Sequence, residues 1–105
     1  MIIEIKDAKH FKEMFENNEK LILDFNATWC GPCRMLKSEL EKISLEFKNI
    51  KILSINVDNI PELSKKYNIY SIPAIFLVRN KQIVFNHVGF LPKNNLIKVI
   101  NDLFK

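Results

Sequence analysis

Leu21-Ile22-Leu23-Asp24-Phe25-Asn26-Ala27-Thr28-Trp29-Cys30-Gly31-Pro32-Cys33 contains both cysteines of the 105-residue chain, three positions apart, directly behind a nearly continuous apolar run. Such a run is expected of a strand covered on both faces. Residues i and i+3 on the first turn of a helix face the same way, with Cβ atoms roughly 5–6 Å apart. A disulfide accepts Cα separations of about 4.4–6.8 Å, so Cys30 and Cys33 can open or close a bridge with little backbone movement. A helix starting here aims its unpaired N–H groups and the positive end of its dipole at the first sulfur, which favours thiolate over thiol. The spacing predicts dithiol–disulfide redox chemistry with Cys30 as the nucleophile. Pro32 in the first helical turn sacrifices no hydrogen bond, and Gly31 leaves the approach to Cys30 uncrowded.

Two other readings of the pair are weaker. A zinc site needs four ligands, and the only histidines, His10 and His87, stand alone without paired spacing. A purely structural disulfide enclosing two residues would constrain the unfolded chain very little, because that stabilisation grows with loop length. Neither histidine is paired with a cysteine, and both read as structural or surface groups rather than catalytic bases.

Strands and helices alternate around this segment. Ile2 to Ile5 predicts a short strand, and Asp7 caps a helix whose Phe11, Met14 and Phe15 share a face. The helix after the cysteines places Met35, Leu36, Leu40, Ile43 and Phe47 on one stripe. Lys51 to Val57 reads as a strand and Pro61 to Tyr67 as a short helix. Ala74 to Val78 and Gln82 to Val88 flank the polar turn Arg79-Asn80-Lys81 and predict an antiparallel hairpin. A last helix from about Pro92 to Phe104 carries Leu96, Ile97, Ile100 and Phe104. Crossovers through helices give parallel neighbours, so the expected fold is α/β: a three-layer α/β/α sandwich around a mixed five-stranded sheet, one domain over residues 1–105. Cys30 then lies at the carboxyl end of a central strand, where open α/β sheets place their sites.

Composition narrows the class. A 48% hydrophobic content over 105 residues supports one core and is too short for two typical domains. The longest apolar runs, such as Ile72 to Val78, fall far short of a membrane span. The start of the chain, Met1 to Asp7, lacks the features of a signal peptide. One close cysteine pair without an export signal fits a reducing interior, so the expected location is the cytoplasm. The net charge of +4 arises from 16 basic residues scattered among 12 acids, with no basic block. That pattern reads as a solvated surface rather than a nucleic-acid interface.

Two more residues stand out on chemical grounds. Asp24 interrupts the apolar run, and a buried carboxylate is costly unless neutral or paired. Burial raises its pKa toward the range useful for acid–base work near neutral pH; a solvated aspartate at an edge is the competing reading. Pro73 cannot donate to a sheet ladder, so it marks a strand entry before Ala74.

The chain resembles the thioredoxin family over almost its whole length. The resemblance rests on Asp24-Phe25, Trp29-Cys30-Gly31-Pro32-Cys33, Asn56-Val57-Asp58, Ser71-Ile72-Pro73-Ala74 and Val88-Gly89. It implies the thioredoxin fold with strand order 1-3-2-4-5. It also implies a protein-disulfide reductase in which Cys33 resolves the mixed disulfide formed by Cys30 and Asp24 accepts the Cys33 proton. The Ile72-Pro73 bond is then cis and faces the cysteines, leaving the Ile72 backbone to pair with an extended substrate. Trp29, Gly31, Pro32, Val57, Ile72, Pro73, Val88, Gly89 and Phe90 gather as an apolar surface of the kind that binds proteins, against the alternative of a core tryptophan for Trp29. The resemblance further implies a monomer with no bound cofactor beyond the Cys30–Cys33 disulfide. Its partners are disulfide-containing proteins and an NADPH-dependent thioredoxin reductase.

Several positions depart from the family pattern. Asn26 stands where many members carry a second tryptophan, and Ser54 where a lysine commonly neighbours the buried aspartate, which leaves Asp24 less restrained by positive charge. Ser38 replaces a proline that kinks the helix, so a straighter helix is expected. The hairpin turn lacks glycine, and Asn80 is the best candidate there for a positive φ. Ser71 and Phe90 replace smaller residues at the rim. Two other functions stay open at this point: a glutaredoxin-like or oxidising enzyme, against which Gly31-Pro32 argues, and a redox-independent binding subunit.

Overall fold

The computed structural model describes residues 2–104. Its elements are β1 (Ile2–Glu4), α1 (Ala8–Asn17), β2 (Lys20–Asn26), α2 (Gly31–Glu46), β3 (Lys51–Asn56), α3 (Pro61–Lys66), β4 (Ala74–Arg79), β5 (Gln82–Val88) and α4 (Lys93–Leu103). They form one five-stranded sheet in the order β1-β3-β2-β4-β5. β1 and β2 both run parallel to β3, while β4 is antiparallel to β2 and to β5. The mixed sheet and its order agree with expectation.

The continuity of the β2 run follows from its position. Successive side chains of a strand point to opposite faces, and both faces of β2 are covered. Leu21, Leu23 and Phe25 join Phe11, Leu53, Ile55, Ile60 and Leu63 on the α1 and α3 side. Ile22 joins Leu36, Leu40, Ile43, Ile52, Ile75, Leu96 and Ile100 on the α2 and α4 side. Each such buried aliphatic contributes about 1.5–3 kcal/mol, so β2 anchors the segment that leads into the cysteines. Tyr67 adds edge contacts to Phe11 and Phe76, with ring centroids 6.0 and 5.4 Å away.

Some expectations are corrected. Met35 is 59% exposed rather than part of the apolar stripe. Leu36, Leu40 and Ile43 already fill the inward face, and one residue back from Leu36 turns the side chain about 100° away. β1 ends at Glu4 and β3 at Asn56, each one residue early, although Ile5 N–H still reaches the Ser54 carbonyl and Val57 N–H the Asn26 carbonyl, both at 2.9 Å. The hairpin turn is only Asn80-Lys81, since Arg79 belongs to β4 and pairs with Gln82. Asn80 has φ 49° as expected, but Lys81 also has φ 67°. This doubly positive turn matches the right-handed twist of the paired strands.

The starts of α1 and α4 are satisfied by side chains. Asp7 accepts the His10 N–H at 2.8 Å and so caps α1, while His10 Nδ1 accepts the Lys6 N–H at 3.1 Å, which makes His10 structural. α4 receives its cap from another element. Glu39 of α2 accepts the Lys93 N–H at 2.9 Å and is bridged to Lys42, which together hold its carboxyl below the ordinary range.

Candidate active site

β2 delivers the chain to the start of α2, and Cys30 is the residue between them. Its backbone is extended, with φ −92° and ψ 112°, and its Sγ accepts the Cys33 N–H at 3.2 Å. Sulfur thus occupies the place that an oxygen of Ser or Asp takes in an ordinary helix cap. Pro32 lies in the first turn, and no acidic residue in that turn opposes negative charge on the sulfur. A helix N-terminus of this kind, with its free N–H groups and the positive end of its dipole, favours negative charge on an atom placed there. Cys30 and Cys33 form a disulfide with Cα atoms 5.3 Å apart, inside the range that the spacing predicts.

The cysteines are nearly covered. Cys30 is 5% and Cys33 3% exposed, packed with Ala27 against Val57 and Ile72. Only a small part of Cys30 is therefore open to an incoming sulfur. Around it Trp29 and Val88 stand well exposed, so Trp29 belongs to the surface and not to the core. Its indole Nε1 donates to Asp58 Oδ2 at 2.9 Å, which fixes the ring beside the cysteines. The Ile72-Pro73 bond is cis, and the Pro73 carbonyl accepts the Gly89 N–H at 2.8 Å. Gly89 has φ 101°, a conformation that favours glycine. Phe90, expected at the rim, is half-buried against the α2 and α4 core. A Cβ on Gly31 would meet only Arg34 Nη2, 3.9 Å away. The chain's own packing therefore does not require glycine there, and any need for openness belongs to the approaching partner.

Asp24 lies on the α2 side of the sheet, facing the same way as Ile22. It is 1% exposed, which overturns the solvated alternative. Burial pushes its carboxyl from the ordinary 3.8 up to about 7, while the hydrogen bond from Asn26 lowers it; Glu4 raises it and Lys37 lowers it through their charges. Ser54, its register partner on β3, carries no charge to pull it down. Asp24 and Cys33 line one cleft of about 230 Å³ together with Glu4, Asn26, Ala27, Thr28, Arg34, Lys37 and Asn56. Lys37 and Glu4 are bridged at 3.0 Å beside it. A cleft of that size has room for water between polar walls.

Asp58, Lys37 and Glu4 were not singled out as functional by the sequence. Asp58 adjoins Val57 in a segment that carries the family resemblance, which is the one signal that could have directed attention to it. Among the described residues no group of three His, Cys, Asp or Glu side chains is placed to hold a metal ion.

Comparison with known proteins agrees with this geometry. The family model described as Thioredoxin matches residues 1–102. The thioredoxin of Mycoplasma genitalium is 34% identical over 102 residues, covering 97% of this chain and all of that protein. The bifunctional thioredoxin reductase/thioredoxin of Mycobacterium leprae is 35% identical over 102 residues, covering 96% of this chain and 22% of that protein. The oxidised form of mitochondrial thioredoxin 3 from Saccharomyces cerevisiae superimposes with a TM-score of 0.87 at 30% identity, covering 97% of this chain and 95% of that one. A cysteine-capped helix behind a buried strand, a cis proline ahead of β4 and similarity along the whole sequence lead to one assignment: the chain belongs to the thioredoxin family.

Proposed function

We propose that the protein reduces disulfides in other proteins through a dithiol cycle started by Cys30. The observation that carries this reading is the Cys30–Cys33 bridge at the start of α2, with the Cys33 N–H directed at Cys30 Sγ. The chain is a thiol-disulfide oxidoreductase.

In the forward direction the Cys30 thiolate attacks one sulfur of a target disulfide. A Cys30–target bond forms, and the other target sulfur leaves as a thiolate and takes a proton. Cys33 then gives its proton to Asp24 and attacks Cys30 Sγ. The Cys30–Cys33 bond forms, the Cys30–target bond breaks, and the second target sulfur departs with the electron pair. The target has gained two electrons and the chain has lost them. Asp24, with its pKa raised to about 7, can accept a proton near neutral pH and give it up again. Trp29, Val57, Ile72 and Val88, with Gly31, Pro32 and Gly89, form the docking surface for an extended target segment, whereas Pro73, expected on that surface, is itself buried.

Return to the dithiol requires a reductant. The name of the Mycobacterium leprae relative joins the two activities, which supports a thioredoxin reductase drawing on NADPH as the partner. The chain needs no cofactor beyond its own disulfide and works as a monomer in the cytoplasm. Among the described residues no helix is long and apolar enough to cross a membrane.

Insulin reduction tests the reading. Cys30→Ser abolishes turnover, and Cys33→Ser stops the cycle at the mixed disulfide. Full activity in Cys30→Ser would overturn the assignment of the nucleophile.

A further inference from the structure

Asn26 follows Asp24 by two positions on β2, so their side chains share a face of the sheet. Ser54 is the register partner of Asp24 on β3 and joins them on that face. The Asn26 carboxamide nitrogen donates to Ser54 Oγ at 2.8 Å and lies 3.1 Å from the Asp24 carbonyl and 3.3 Å from Asp24 Oδ2. Asp24 Oδ1 is buried and has no hydrogen-bond partner. The two carboxylate oxygens are therefore unequal: one is held by a donor anchored on β3, and the other keeps its full accepting capacity. An amide side chain can donate here without adding charge, unlike a lysine at position 54.

We propose that Asn26, anchored on Ser54, is a positioning residue that holds Oδ2 of Asp24 and leaves Oδ1 to take the proton of Cys33. This rests on the reading of Asp24 as proton acceptor. In the step, the proton passes from Cys33 Sγ to Asp24 Oδ1 and Cys33 Sγ bonds to Cys30 Sγ. The bond from Cys30 to its partner sulfur breaks, and that sulfur leaves with the electron pair. The hydrogen bond to Oδ2 favours the ionised carboxylate, so the acceptor is ready at neutral pH despite its burial. The other titratable or charged groups lining the cleft with Asp24 are Glu4 on β1 and Cys33, Arg34 and Lys37 on α2. Glu4 raises and Lys37 lowers the Asp24 pKa.

The experiment uses the Cys30–thionitrobenzoate mixed disulfide, trapped in acid and released by a pH jump, with thionitrobenzoate absorbance reporting the Cys33 attack. Carbon-13 NMR titrates the Asp24 carboxyl of the oxidised protein in parallel. Asn26→Leu moves that titration upward by about one pH unit and slows release at pH 7 about fivefold. Ser54→Ala moves both in the same direction, and carries the test alone if Asn26→Leu does not fold. Raising the pH to 9 restores the rate in both variants, since the carboxyl is then ionised. An unmoved titration in a folded variant, or a rate loss that persists at pH 9, overturns the proposal. Asp24→Asn separates the two levels. Undiminished release there overturns the proton-acceptor reading itself. Slowed release there with unmoved Asn26→Leu and Ser54→Ala overturns the positioning role alone.

Discussion

Replacing Asp24 by Asn should stabilise the oxidised protein, and the size of the gain should depend on pH. The folded state holds this carboxyl at about 7 against an ordinary 3.8. Below pH 3.8 the side chain is protonated in both the folded and unfolded states, and its contribution is fully present. Between pH 3.8 and 7 the unfolded chain releases the proton while the folded chain keeps it, so stability falls as pH rises. The gap of roughly three units, at about 1.4 kcal/mol each, amounts to about 4 kcal/mol above pH 7. For a domain of this size, about 4 kcal/mol raises the melting temperature by well over 10 °C. Guanidinium unfolding of oxidised wild type and Asp24→Asn from pH 3 to 9 checks this. The difference between them should be small at the acid end, grow through pH 4 to 7 and then level off. A difference that does not vary with pH would refute the inference that the carboxyl is buried and raised.

Three further outcomes test other parts of the structure. Asp58→Ala frees the Trp29 indole and should raise KM for insulin about fivefold with kcat unchanged, the loss of one surface-fixing hydrogen bond; an unchanged KM would remove Trp29 orientation from target binding. Lys81→Gly relieves a side chain held at φ 67° and should add about 1 kcal/mol to urea stability. Glu39→Ala removes the cap on α4. Because the Glu39 carboxyl is lowered, the stabilisation it supplies is present above its ordinary 4.5 and is lost as pH falls through the folded value. The stability gap between wild type and Glu39→Ala should therefore close in acid.

Features of the sequence that repeat locally were the legible ones. The β2 run could be read because both its faces are buried, and the cysteine spacing because it places two sulfurs on one helical turn. Asp24 announced itself by being charged among apolar neighbours. Other features arise from side chains that meet only through the fold. Asn26 and Ser54 are 28 positions apart, Trp29 and Asp58 are 29 apart, and Glu39 and Lys93 are 54 apart. None of these pairs has a local pattern, and each depends on sheet register or helix docking. Met35 was misplaced because an apolar residue next to a stripe fits the periodicity almost as well as one on it. Lys81 was missed because lysine has no intrinsic preference for positive φ; the two-residue turn imposes it.

The most direct test of the dithiol cycle is peptide mapping of the covalent product formed when reduced Cys33→Ser meets insulin. The account predicts a one-to-one adduct joined through Cys30, with none formed by the Cys30→Ser protein under the same conditions. Absence of the adduct, or an equally fast adduct through Cys33 in the Cys30→Ser protein, would contradict it.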